Sequence, residues 1–330
     1  MRHTSAAAGL LATAVLGGLG IAPSAAAQAA PAAVRAAWVA TCTEKKSDTT
    51  YPCGHWRLLR RDGGTITLRD ASPYKVDGKG EKIYDAGSLS ISADGRSVLY
   101  ERTKDHRLVV RKALGGPATV LPKSLTPHGT ENTTVYLSPA GDRVLVDYSD
   151  DSHPRASVLY TVATGKSVKL PDGDTPLGFS ADGDEFLTSR SMGDNTSALV
   201  VFKASGGSIK RIPPQVVANA GTMALAADGK TVAVFVSGNE DRHRAPRLRL
   251  YDVATGELTA GSDLALAPGS TPSHADWRSD GKLTAVVSTG EDGKAAVVRV
   301  LTVDPESGAF TQADKYSVSK HRYTFYTAGM

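Results

Sequence analysis

Ser88-Leu89-Ser90-Ile91, then Ser92-Ala93-Asp94-Gly95, then Arg96-Ser97-Val98-Leu99-Tyr100, and later Leu108-Val109-Val110-Arg111 ahead of Gly115-Gly116, form the stretch whose reading decides the fold. Asp-Gly between two apolar runs is a hairpin signal, because glycine supplies the positive φ that a tight turn needs. The same turn recurs at Ser138-Pro139-Ala140-Gly141, Ser180-Ala181-Asp182-Gly183, Ala226-Ala227-Asp228-Gly229 and Arg278-Ser279-Asp280-Gly281, with glycines spaced 46, 42, 46 and 52 residues apart. A period of that size marks a repeat architecture.

A second glycine turn keeps the same rhythm at Gly63-Gly64, Gly115-Gly116, Gly165, Gly206-Gly207, Gly256 and Gly308, each after an apolar run. Between the two turns lies a further run such as Val144-Leu145-Val146 or Thr231 to Val236. The runs are short and rich in β-branched residues, which suits strands and not helices. Each unit then holds four strands, a to d, the blade of a β-propeller. The first copy lacks strand a: Val34 to Thr41 reads as b, Trp56 to Leu59 as c and Thr65 to Leu68 as d. The alternating run Arg322-Tyr323-Thr324-Phe325-Tyr326 has no partner of its own and supplies the missing strand. The expected fold is all-β, a six-bladed propeller of four-stranded antiparallel blades with blade 1 closed by the C-terminal strand. Closure of that kind removes two exposed sheet edges.

The pattern Ser-x-Asp-Gly, apolar strand, polar loop, strand ending near glycine resembles the TolB-type propeller repeat, over roughly Val34 to the C-terminus. That repeat usually reads Ser-Pro-Asp-Gly at the first turn; here only Ser138-Pro139 keeps the proline, and Ala140 replaces its Asp. The resemblance implies the fold but no activity, because related repeats serve in translocation factors, peptidase propellers and secreted proteins of other roles.

Residues 1–27 read as a signal peptide: Arg2 and His3 form a positive start, Leu10 to Ile21 an apolar stretch short for a membrane span, and Ala25-Ala26-Ala27 a small-residue cleavage site. Residues 28–33 follow as a flexible lead-in, and 34–330 as one propeller domain with no linker or charge block inside it. Without Arg2 the chain carries 37 basic against 34 acidic side chains, scattered with no basic run longer than two, which is no nucleic-acid footprint. Cys42 and Cys53 are the two cysteines, in a polar insert of blade 1; in an exported chain they are expected to pair. Their spacing is not that of a redox or metal motif.

In a propeller the b–c and d–a loops share one face. The b–c loops here are polar and dissimilar, and variable loops on a rigid scaffold are where binding resides. Histidines gather on that face: His55, His106, His153 and His243 in or beside b–c loops, His128 and His274 in d–a connections, His321 before the closing strand. The first six are the candidate binding residues, with His128 and His274 nearest the channel. Asp147, Asp150, Asp151, Glu240 and Asp241 are the acidic groups that a metal site would have to draw on, yet no ligand spacing accompanies them. The Asp-rich pieces 147–151 and 172–174 do not match a calcium loop. No nucleophile elbow, zinc-protease helix, phosphate loop or dinucleotide fingerprint is present. No catalytic residue, metal or cofactor is assigned.

Three functions stay open. The first is an exported non-catalytic propeller binding a protein, peptide or cell-envelope ligand on the b–c/d–a face. The second is a propeller lyase, lactonase or hydrolase with acid–base or metal residues at the channel mouth. The third is a purely structural envelope protein. Clustered histidines and carboxylates would favour the enzyme; separated histidines with exposed aromatics would favour binding.

Overall fold

The structure is a computed structural model describing residues 33–149, 155–171, 173–193, 195–267, 270–290 and 293–330. The signal-peptide segment, most of the lead-in, His153, Asp150, Asp151 and Asp172 lie outside the described residues.

Blade 1 supplies β1 (Val34–Thr43), β2 (Thr50–Arg60) and β3 (Thr65–Leu68), and a separate hairpin follows, β4 (Tyr74–Val76) and β5 (Lys82–Ala86). Blade 2 is β6 (Leu89–Ile91), β7 (Ser97–Glu101), β8 (Leu108–Lys112) and β9 (Thr119–Val120). Blade 3 is β10 (Thr133–Leu137), β11 (Arg143–Tyr148), β12 (Val158–Thr161) and β13 (Ser167–Lys169). Blade 4 is β14 (Asp174–Phe179), β15 (Glu185–Ser191), β16 (Ser197–Lys203) and β17 (Ser208–Arg211). Blade 5 is β18 (Thr222–Leu225), β19 (Thr231–Val236), β20 (Arg247–Asp252) and β21 (Ser262–Asp263). Blade 6 is β22 (His274–Trp277), β23 (Leu283–Thr289), β24 (Ala296–Val303) and β25 (Phe310–Val318). The last strand, β26 (Arg322–Thr327), pairs antiparallel with β1 from Ala36↔Thr327 to Ala40↔Arg322, completing blade 1 in the order β26-β1-β2-β3.

The middle of the second strand in blades 2, 3 and 5 is apolar because both its faces meet a neighbouring blade. Val98-Leu99-Tyr100, Val144-Leu145-Val146 and Val232 to Phe235 are all fully buried. Six hydrophobic clusters result, one at each blade junction, and the last joins blade 6 to blade 1 through Val286, Val298 and Tyr316 against Ala36 and Phe325. The same seam carries a polar rivet. Arg35 of β1 pairs with Asp314 of β25 at 2.9 Å, donates to the Arg60 and Arg61 carbonyls, and lies over the Tyr316 ring at 5.1 Å.

The a–b turns are built by the serine and aspartate of the repeat. Ser92 Oγ accepts the Ser97 N–H at 2.9 Å and donates to Asp94 Oδ1, which also accepts the Arg96 N–H. Ser180 and Asp182 repeat the arrangement. In blade 3, where Ala140 replaces the Asp, the carboxylate of Asp142 takes the Ser138 hydroxyl at 2.7 Å instead. The glycines do a second job. A Cβ on Gly95 (φ 72°) would fall 2.1 Å from the Val34 carbonyl of blade 1, and one on Gly141 2.4 Å from Ser97 Cβ of blade 2. In blades 2 and 3 the turn glycine is therefore also where one blade meets the preceding one.

Two features depart from the repeat. Strands β1 and β2 run on past the ring as a long hairpin, so Cys42 and Cys53 sit in paired strands and not in a loop; they are disulfide-bonded with Cα atoms 5.8 Å apart. The β4–β5 hairpin is inserted in the first d–a connection. The d–a connections after β9 and β17 also carry single helical turns, Lys123–Leu125 and Gln215–Ala218.

Replacing Gly95 by Ala should cost about 2 kcal/mol more in urea unfolding than replacing Gly115, whose φ is 116° but whose Cβ would meet nothing within 4 Å. Equal costs would refute the close-approach role. Arg35→Ala should lower unfolding free energy by about 2–3 kcal/mol, since it strands a half-buried Asp314 and removes charged hydrogen bonds. A change below about 0.5 kcal/mol would show that the rivet is dispensable.

Candidate functional site

Six histidines lie among the described residues, and they differ in exposure and in partners. His55 lies exposed within β2, His243 is exposed in the loop after β19, and His321 is exposed before β26. His128 is exposed in the connection before β10, where its backbone packs against Gly78 of the β4–β5 turn. His106 and His274 each pair with a carboxylate of their own blade, in blades 2 and 6. Among the described residues no group of three His, Cys, Asp or Glu side chains is arranged to hold a metal ion.

The b–c/d–a face is dominated by the β4–β5 hairpin, which spans from blade 1 to blade 3. On the blade 3 side Val76 accepts the Thr130 and Glu131 N–H groups at 2.8 and 2.9 Å, while its own N–H donates to Thr130 Oγ1. Beneath lies Glu101, the last residue of β7, with a fully buried side chain. Its two oxygens meet His106 Nδ1 and the Thr130 hydroxyl, each at 2.7 Å. Lys75 donates to the Glu131 and Thr133 carbonyls at 3.1 and 2.8 Å, and burial lowers its pKa against the pull of Asp85, Glu101 and Glu131. The bond to Glu101 raises the His106 pKa above its ordinary value. A buried carboxylate must be hydrogen-bonded, and this one fastens the hairpin's far end to the ring.

On the blade 1 side the hairpin carries tyrosines. The Lys82 ammonium lies 4.5 Å from the Tyr51 ring centroid, 4.6 Å from Tyr74 and 5.5 Å from Tyr84. Tyr51 and Tyr84 stack at 5.5 Å, and the Tyr323 hydroxyl of β26 donates to the Tyr84 carbonyl at 2.7 Å. Tyr84 is 47% exposed, the most exposed aromatic of the cluster. Tyrosines held by a lysine beneath or between them form an amphipathic, low-entropy contact surface.

The axial channel is narrow by contrast. His274 Nε2 and Asp276 Oδ2 approach to 2.7 Å from one face of β22. Burial alone would lower the imidazole pKa, but the Asp276 charge and hydrogen bond and the Gly329 backbone outweigh it and raise it. Tyr136, Phe179 and Met223 close around this pair, leaving about 20 Å³, room for about one water. At the a–b end the channel widens to about 210 Å³. Trp277 lines that mouth and gives its indole N–H to the Ala224 carbonyl, so it is only partly a core residue.

Lys75, Glu101 and the tyrosines of the hairpin were not marked by the repeat. Asp77-Gly78 between Tyr74-Lys75-Val76 and Lys82-Ile83-Tyr84 is a hairpin signal of the same kind as the blade turns, but it falls outside their period.

No family model matches this sequence, and no curated protein matches it. Solved structures similar to the chain include TolB from Acinetobacter baumannii, at 16% identity and TM-score 0.48, over 84% of this chain and 65% of that one. The chain thus spans less than two thirds of that protein's length. A TolB structure from Agrobacterium tumefaciens is similar at 12% identity and TM-score 0.48, over 90% and 91% of the two chains. An acylaminoacyl peptidase from Pyrococcus horikoshii is similar at 13% and 0.48, over 88% of this chain and 53% of that one. These likenesses concern the fold, which the strand order establishes independently.

A histidine whose pKa is raised in the folded state contributes stability that is full below its unfolded pKa and lost as pH rises through the folded one. Both His106 and His274 are of this kind. Unfolding free energy should therefore fall as pH rises through and above the ordinary histidine range, and His106→Gln should flatten that fall. An unchanged pH profile in the variant would exclude the Glu101 pair as a contributor.

Proposed function

We propose that the chain is an exported, non-catalytic propeller that binds a protein, peptide or cell-envelope component on its b–c/d–a face, with the tyrosine cluster around Lys82 as the anchor. One observation carries the reading: Tyr51, Tyr74 and Tyr84 converge on an exposed cation at the tip of a hairpin that is itself tied to blades 1 and 3. Rigid exposed tyrosines with polar neighbours are characteristic of binding hot spots. His128 borders the same hairpin, and His106 supports it from below; His55 and His243, both exposed, lie outside the tyrosine cluster. The disulfide supports export, because such bonds persist in oxidising compartments. The acid–base alternative has less support, since the axial His274–Asp276 pair has space beside it for water but not for a substrate.

The test is retention on isolated cell envelopes of the producing organism. The wild-type chain should be retained, and Tyr51→Ala with Tyr84→Ala should reduce retention at least tenfold, about 1.4 kcal/mol, at unchanged melting temperature. Retention that survives both substitutions, or chemical turnover of the bound component, would overturn the reading.

A further inference from the structure

The a–b end of the channel holds a feature that the loop-face reading does not use. Its cavity of about 210 Å³ is lined by the turns of blades 2, 3, 4 and 6. Drug-sized ligands occupy about 300–1,000 Å³, so this volume suits something smaller. The cavity stays blind because the channel above narrows to about 20 Å³ at Tyr136, Phe179 and Met223.

The charges around the mouth come from the turns of different blades. In a six-membered ring blade 6 faces blade 3, and blades 2 and 4 flank blade 3. Blade 6 contributes Arg278 beside Trp277; among the described residues no ion pair engages that guanidinium, whose charge acts on the neighbouring Asp280, itself paired with Lys282. Blades 2 and 4 contribute Asp94 and Asp182. Each spends Oδ1 on its own turn, on a serine hydroxyl and a backbone N–H, and among the described residues Oδ2 of each accepts no hydrogen bond. Among the described residues the mouth thus presents a cation without an ion pair on the turn of blade 6, two half-used carboxylates on the turns of blades 2 and 4, and an indole beside the cation.

We infer that this mouth is a binding site for a small zwitterion of the α-amino-acid class, its carboxylate on Arg278 and its ammonium between Asp94 and Asp182. Arginine holds a carboxylate through paired N–H donors, and an ammonium has three donors to share between two acceptors. A ligand with only one of the two charges leaves the other rim unanswered on closing the cavity.

Calorimetric titration of the whole chain with L-leucine, L-glutamate and L-lysine, each also as its amide and its N-acetyl form, tests this. At least one free amino acid should bind saturably at one site, and its amide and N-acetyl forms should bind at least tenfold more weakly. Arg278→Gln should weaken the free amino acid about tenfold and leave the amide unaffected. Asp182→Asn should weaken the free form and spare the N-acetyl one, which guards against loss of either variant through misfolding. Tyr84→Ala should change nothing, which separates this site from the loop face. The inference is overturned if none of the three saturates below about 10 mM, if the blocked forms bind as well as the parent, or if both Arg278→Gln and Asp182→Asn leave the parent's affinity intact.

Discussion

The structure depends on the pairing of β26 with β1. Every other blade is a local meander whose four strands follow one another in sequence; blade 1 alone is assembled from both ends of the ring. Backbone hydrogen bonds from Ala36↔Thr327 to Ala40↔Arg322 set its register, and the apolar seam of Val286, Val298 and Tyr316 against Ala36 and Phe325 sets its burial. Arg35 then ties β1 to β25 across that seam. Without this pairing β1 and β26 would each show an unpaired edge, and the ring would be left open at blade 1.

The ring itself was legible in the sequence because its demands repeat. Each a–b turn needs a residue at positive φ and a side-chain acceptor for the backbone N–H groups that follow, and in blades 2 and 3 it also needs no Cβ where the preceding blade approaches. Ser92, Asp94 and Gly95 meet those demands in blade 2, and blade 3 meets them with Asp142 standing in for the residue lost at Ala140. The closing strand was legible for a different reason: Tyr323 and Phe325 alternate in a run with no neighbour left to pair with. What escaped was whatever happens once. The Asp77-Gly78 hairpin uses the chemistry of the blade turns but lies off their period, and the run of β1 and β2 beyond the ring hides the cysteines in paired strands.

The candidate site was less legible because it is made of relations between blades. The histidines were visible as residue types on one face, but whether they converge depends on loop paths, and the two with defined carboxylate partners each pair within a blade. Glu101 ends an ordinary strand; only the buried Thr130 and His106 beside it give it weight. Tyr51, Tyr74 and Tyr84 come from β2, β4 and β5 and meet one lysine only in the folded hairpin, while Tyr323 joins them from the other end of the chain through the Tyr84 carbonyl.

The way blade 1 is completed also fixes when the molecule can exist. Ala36 must wait for Thr327, a separation of roughly 290 residues, so the costliest loop closure comes last and five meanders can be in place before it. A chain threaded through a membrane from its N-terminus would carry β1 across long before its partner strand emerged. The barrel of blades would stay an open arc throughout transit, and would snap shut only on the far side.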